Sequence, residues 1–354
     1  MYKKLSTLFI AALLICNFSF AKIFRVGYSG PQVAGVDFAD VTSAVSATSA
    51  NDTIQIYPSA FSPSIGGLTK KLVFIGMGYF LDKNSNLQVA TTSASLSMQN
   101  PLPAASGSVF EGLEINQTIN ATSGLLANIL FSRCKITNSQ IQISTSGDSI
   151  KNMTFSQCYF TGSAPFFYSG VNTKITGINF QNCIFSFENY WGAFGRDFGI
   201  ITNVNYENCS GNGYPATITT GVVSIYYRNC ILKTESNVAN TDLYDYCSFQ
   251  TNNVTHFVAG TANQFGKDFT TVFSGDVTAG VGGDAEWALK AGSPAIGYGR
   301  DNSNNPVDAG AYGNVNPYKL SGIPPVPAFY KLTASSSSAS ANPYTITFSV
   351  RANN

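Results

Sequence analysis

The residues best suited to chemistry in this chain of 354 residues lie in one short run, Glu188-Asn189-Tyr190-Trp191-Gly192-Ala193-Phe194-Gly195-Arg196-Asp197. Aromatic faces such as those of Tyr190, Trp191 and Phe194 stack on the apolar faces of sugars, while Arg196 and Asp197 can orient hydroxyls or a uronate. If the run does more than bind, Glu188, Arg196 and Asp197 are the acid and base candidates. The plain alternative tucks the aromatics against neighbouring structure and pairs Arg196 with Asp197 or Glu188. A second cluster, Asp301, Asn302, Ser303, Asn304 and Asn305 with Asp308, offers oxygen ligands of the kind calcium takes, without the spacing of an EF-hand; its alternative is a polar turn. The other acids stand singly, among them Glu111, Glu114, Asp148, Glu207 and Glu235, and the one histidine, His256, has no partner nearby in sequence. No Ser/His/Asp, Cys/His or Gly-rich phosphate motif rises above chance, so no catalytic residue is assigned, and calcium is the one cofactor the sequence brings into question.

Cysteine is the remaining chemically competent residue, and its spacing reveals the elements. Cys134, Cys158, Cys183, Cys209, Cys230 and Cys247 each follow an aromatic by three residues, after Phe131, Phe155, Phe180, Tyr206, Tyr227 and Tyr244, at intervals of 24, 25, 26, 21 and 17. Those intervals suit one coil of a solenoid. The full unit reads apolar-x-aromatic-x-x-Cys-x-apolar, with Ile129, Met153, Ile178, Val204 and Ile225 before the aromatics and Ile136, Phe160, Phe185, Leu232 and Phe249 after the cysteines. Each half alternates with period two, as a strand does, and lacks the three- and four-residue spacing of a helical repeat. Aromatic and cysteine are an odd number apart, so both face inward only if the chain turns a corner between them. Phe110, Leu113 and Ile115 continue the frame upstream with leucine in place of cysteine. A position that takes either residue is an inward packing site, which makes the six cysteines a structural ladder of small hydrophobes. Disulfides are the alternative for an exported chain, but stacked residues about 4.8 Å apart point in parallel, whereas a disulfide needs Cβ atoms at about 3.8 Å. A metal ladder is disfavoured, because the recurring neighbours are Asn182, Asn208 and Asn229.

Composition suits a scaffold of many short strands: 11% charged residues, 13% aromatic, and 32 glycines. Residues 1–21 read as an export signal, with Lys3 and Lys4, an apolar run from Leu5 to Ile15, and Ser19-Phe20-Ala21 as a cleavage site before Lys22. A lipoprotein box at Leu13-Leu14-Ile15-Cys16 is the rival reading. Without that leader the chain carries 18 basic and 19 acidic residues, which gives no general attraction for nucleic acid or an anionic membrane. No other stretch is long and apolar enough to span a bilayer. Secretion or display at the cell surface is the expected location.

Ahead of the repeats, Phe38, Val41, Val45 and Thr48 fall at helical spacing with Asp37 as N-cap, and Thr53–Pro58 and Lys71–Gly78 read as strands. The stretch from Asp37 to Gly78, with "NDTIQIYPSAF" and "KKLVFIGMGYF", resembles the N-terminal opening of right-handed parallel β-helix proteins of the pectate-lyase-like superfamily. Gly292-Ser293-Pro294-Ala295-Ile296-Gly297 followed by Val307-Asp308-Ala309-Gly310-Ala311-Tyr312-Gly313 is similar to a closing motif of exported bacterial β-helix proteins, with Gly297 where those often carry aspartate. The resemblance spans roughly residues 23 to 315. It implies an all-β solenoid with a short capping helix, in a superfamily that holds polysaccharide lyases, hydrolases, tailspikes and adhesins. Its lyases use calcium-binding acids with an Arg or Lys base and its hydrolases use clustered aspartates.

The expected organisation is therefore a signal peptide over 1–21, a β-helix domain over 22–315, and a tail over 316–354. In the tail, a Pro-rich stretch at 321–327 and a Ser/Ala-rich stretch at 334–341 read as linkers before a final strand at Tyr344–Val350 that folds back on the helix flank. Three functions are compatible with this reading: a noncatalytic exported scaffold for surface structure, adhesion or glycan contact; a polysaccharide lyase or glycoside hydrolase; and a structural component of an extracellular assembly. The expected partner is a polysaccharide or a surface protein. Oligomeric state is left open.

Overall fold

A computed structural model describes residues 21–27, 36–58, 64–84, 87, 95–98, 103–116, 119–121, 124–137, 141–143, 149–162, 167–169, 174–186, 200–212, 225–233, 243–252, 260–278, 282–334 and 346–351. The alternating segments fold as expected into a parallel β-helix. Its first sheet runs in the order Ile23–Val26, Thr53–Ile56, Val73–Ile75, Val109–Glu111, Leu130–Ser132, Ser149–Ser156, Lys174–Gln181, Ile200–Glu207, Ile225–Arg228, Leu243–Asp245, and Leu125–Ala127 adds a further strand beside Ser149–Ser156. The second begins at Ser64–Ile65 and ends at Ser248–Phe249, and a third, of three strands, holds Ile119–Ala121, Ile141–Ile143 and Phe167–Ser169.

Register copies the repeat. Phe74, Phe110, Phe131, Phe155, Phe180, Tyr206, Tyr227 and Tyr244 pair in succession across the first sheet. Their rings stack nearly parallel, with centroids 4.5 to 5.1 Å apart. That separation is the interstrand spacing handed on to the side chains, and such pairs contribute roughly 0.5–1.5 kcal/mol each beyond the area they bury. On the second sheet Ile115, Ile136, Phe160 and Phe185 lie in register, then Gly211, Leu232 and Phe249.

Between aromatic and cysteine the chain turns its corner on one residue of positive φ: Gly112, Arg133, Gln157, Asn182, Asn208, Asn229 and Tyr246, all between 51° and 63°. The left-handed residue breaks the period of two and lets both flanking side chains face inward. Asparagine tolerates this conformation better than most residues, which is the physical reason for the recurring Asn before cysteine. All six cysteines are free and buried. Five of the thiols reach back to the carbonyl of an aromatic residue in an earlier coil, such as Cys183 to Phe155 at 3.3 Å and Cys230 to Tyr206 at 3.4 Å. Burial holds the thiols of Cys134, Cys158, Cys209 and Cys247 above their ordinary range.

At the N-terminal end the helix Val41–Ala47 places Val41, Ala44 and Val45 in the main core. Its N-cap is Asp40, not Asp37: Asp40 accepts from the Ser43 backbone and hydroxyl at 2.7 Å each, while Asp37 accepts from the Arg25 amide. These bonds hold the Asp40 carboxyl below its usual value.

The C-terminal part departs most from expectation. Residues 269–278 and 282–318 cover the outer face of the second sheet and form another core, in which Tyr159, Ile184 and Ile231 meet Phe269, Trp287, Ala295, Ala309, Ala311 and Tyr318. From there the chain runs back along the column of corner residues as a strap. Asn229 meets Arg300, Asn182 donates to the carbonyls of Ala311 and Gly313, Gln157 to those of Asn316 and Pro317, and Arg133 to that of Ile323. The stretch 316–324, which composition reads as the beginning of a linker, is thus fastened to the β-helix. Corner side chains supply donors to strap carbonyls that have no neighbouring strand to pair with. The final strand, Ile346–Arg351, pairs antiparallel with Ala328–Ala334 in a two-stranded sheet.

Candidate functional site

Outward-facing side chains on the first sheet fall into columns, because each repeat position recurs one coil later. The column one residue after the aromatics reads Glu111, Ser132, Ser156, Gln181, Glu207, Arg228 and Asp245, and the column one residue before them includes Asn179, Asn205 and Tyr226. Asn205 donates to Asn179 across 2.9 Å, and Thr202 to Thr176 across 2.8 Å. Where the strap passes this face, two adjoining cavities of about 370 and 200 Å³ open and share Gln181, Glu207 and Asn302. Together they form a polar groove rimmed on one side by the sheet and on the other by residues 301–303 and 314–316.

Three acids and one arginine belong to this region. Glu207 lies 4.0 Å from Arg228, its register partner in the next coil. Arg228 also donates to the Asn302 side chain and the Asp301 carbonyl, at 2.7 Å each. Asp245 accepts from the Tyr226 hydroxyl at 2.8 Å and from the Thr261 amide at 2.9 Å. Partial burial and the neighbouring Asp245 push the Tyr226 phenol well above its normal range. Asp301 accepts from the Asn305 side chain and from the backbone amides of Ser303 and Asn305. The Asn305 bonds are the main reason its carboxyl is held below the ordinary value.

Of the sequence candidates, Glu188, Tyr190, Trp191, Phe194, Arg196 and Asp197 lie outside the described residues, as does His256. Asp301, Asn302, Asn304 and Asp308 are placed. Asp301 closes its own turn, Asn302 receives Arg228, Asn304 takes a positive φ of 64° in that turn, and Asp308 accepts from the Gly297 amide at 2.8 Å. The oxygens expected to hold calcium are thus largely engaged in turn geometry, and among the described residues no group of three or more His, Cys, Asp or Glu side chains converges. Glu207 and Arg228 are far apart in sequence, but both follow a repeat aromatic and so share a column. Asn302 and Asn316 carry no such signal.

One more polar constellation is centred on a buried acid. Asp284 accepts from the Ser321 amide, from the Tyr318 hydroxyl at 3.1 Å and from Asn84 at 3.3 Å, while Tyr318 also meets the Tyr79 hydroxyl. Burial pushes the Asp284 carboxyl up to about 6, against the hydrogen bonds that oppose the shift. No part of Asp284 is exposed, so it serves as a clamp joining residues 79–84, 284–287 and 318–321. Among the described residues no helix is long and apolar enough to cross a membrane. Comparison of the chain with protein-family models and with curated protein sequences finds no match.

Proposed function

We propose that the chain is an exported β-helix scaffold of the pectate-lyase-like kind, noncatalytic, which uses the polar groove on its flank for contact with a glycan. One observation carries this reading. Of the ionisable groups around the groove, Arg228 is engaged on the 301–305 turn, Asp245 on Tyr226 and Thr261, and Asp301 on its own turn, which leaves Glu207, 4.0 Å from Arg228, beside a surface rich in amides. Amides hydrogen-bond sugar hydroxyls without activating them. Export is supported by the setting of Lys22, whose backbone nitrogen donates to Asp52 at 2.8 Å; cleavage after Ala21 would turn that nitrogen into an ammonium facing a carboxylate. Calcium at Asp301, Asn302, Asn304 and Asp308 would require the turn to reopen.

The second reading is a polysaccharide lyase or glycoside hydrolase, favoured by Glu207 standing beside Arg228 in one groove. A polysaccharide panel on residues 22–354, with and without calcium, separates the two by recording retention together with release of unsaturated uronides and reducing ends. Retention without product is expected. Product that disappears in Glu207→Gln, or in Asp197→Asn, would replace the scaffold reading by the enzyme. A blank on every polymer would remove the glycan.

A further inference from the structure

Ser321 sits in the left-handed region, with φ of 58° and ψ of 15°, directly before Gly322 at 53°. Glycine takes that backbone freely, whereas a serine there is strained and persists only where its surroundings hold it. Three residues do so. The Asp284 carboxyl accepts from the Ser321 amide, Asn84 donates to the Ser321 hydroxyl at 2.8 Å, and the Tyr79 amide donates to the Ser321 carbonyl at 2.8 Å. Ser321 and Asp284 are both fully buried. A strained turn of the strap is therefore seated on residues 79–84 through an enclosed acid.

That acid has no cation against it: among the described residues no salt bridge includes Asp284. The titratable groups that face it are phenols, Tyr79 from residues 79–84, Tyr159 from the second sheet, and Tyr312 and Tyr318 from the cover. Burial raises all four above their ordinary range, so they stay neutral through pH 8. Of the charged neighbours on these elements, Lys83 lies over the Phe80 ring and Glu286 accepts from the Gly282 amide. Ionising Asp284 thus puts a charge in a closed setting without a counter-charge, and the neutral acid is favoured while the turn is seated. Seated, the carboxyl is pushed up to about 6; with the turn displaced, water reaches it and it returns towards its ordinary 3.8. Protonation therefore favours the seated turn, and that preference is lost as pH rises through about 6.

We propose that residues 316–324 form a pH-dependent latch, seated on the first coils while Asp284 is protonated and released from them when it ionises, with the rest of the strap held at Asn182 and Asn229. Release parts the Ile323 carbonyl from Arg133 and those of Asn316 and Pro317 from Gln157. Asn316 also lines the larger cavity, so release takes one wall from the groove, although the latch does not depend on what the groove binds. Hydrogen exchange on the purified protein between pH 4 and 8, read by mass spectrometry, tests it. Peptides covering residues 317–323 are compared with peptides over Phe155 and Phe180, and dividing each parent rate by that of Asp284→Asn cancels the intrinsic pH dependence of exchange. For 317–323 the ratio should rise roughly tenfold or more from pH 4 to 7 and then level off, and at pH 7 this segment should exchange well ahead of the coils. A flat ratio, or a segment that exchanges only at the rate of the coils, would overturn the latch. Should Asp284→Asn not fold, Tyr318→Phe replaces it as the comparison: it keeps the acid but removes one donor to the carboxylate, so it should enlarge the rise between pH 4 and 7, and an unchanged rise would equally overturn the latch.

Discussion

Asn229 and Arg300, 71 positions apart, exchange two hydrogen bonds of 2.9 Å, the Asn229 amide nitrogen to the Arg300 carbonyl and the Arg300 backbone nitrogen to the Asn229 side-chain oxygen. A corner side chain here does what a neighbouring strand would do, and so turns an irregular segment into part of the solenoid wall.

Asn229→Gly keeps the left-handed corner but removes both bonds. It should destabilise the protein by about 1–3 kcal/mol, and Asn229→Ala by about 1 kcal/mol more through backbone strain. Urea unfolding gives the magnitudes. Limited proteolysis, with cutting near residues 301–305 increasing in both variants, would tie the loss to the strap; unchanged cutting would break that link.

Gly322 has a φ of +53°, and a Cβ added there would lie 2.2 Å from the Tyr79 ring and 2.5 Å from the Arg133 carbonyl. Gly322→Ala must therefore displace the strap from the first coils. A cost of about 3 kcal/mol or more is expected from the combined overlap and strain. Gly292→Ala is the control: its φ is also positive at +77°, but an added Cβ meets nothing within 4 Å, so it should cost only the strain, about 1–2 kcal/mol. Equal midpoints for the two variants would argue against a seated strap.

Asp284 gives the stability of the protein a pH dependence of unusual sign for a carboxylate. Its folded value is raised to about 6 from an ordinary 3.8, so between these values the folded state binds more protons than the unfolded one. The contribution is fully present below the unfolded value and is lost as pH rises through about 6. Denaturation midpoints between pH 4 and 7 should fall with rising pH on this account, and Asp284→Asn should flatten that component. A parent and variant with parallel profiles would show that Asp284 is not its source.

The six thiols from Cys134 to Cys247 are free and fully buried. A thiol reagent should label none of them in the native state and all six in denaturant without reductant. Fewer than six on unfolding would mean that disulfides form. Cys183→Ala should cost about 1–2 kcal/mol, since it deletes one buried sulfur from an otherwise unchanged core.

Much of this architecture was legible because it is periodic. The alternation around Phe131, Phe155 and Phe180 is set by the two-residue repeat of a strand, the odd step to each cysteine demands a corner, and Asn182, Asn208 and Asn229 suit the backbone that the corner needs. The Glu207–Arg228 pair was within reach of the same reasoning, since equal positions in successive coils become neighbours. Tyr159, Ile184 and Ile231, each directly after a cysteine, lie under the cover on the second sheet, which the repeat frame did not lead one to expect.

What lay beyond the sequence was the identity of the cover. A solenoid coil determines its neighbours through backbone hydrogen bonding at a fixed spacing, so repeat spacing alone places Phe155 on Phe131 and Phe180 on Phe155. Residues 299–324 have no repeat, and their partners follow from which buried amides and carbonyls remain unsatisfied once the coils have stacked. Only the folded chain decides that Gln157 donates to Asn316 and Pro317, and that Asp284 clamps Tyr318 to the first coils.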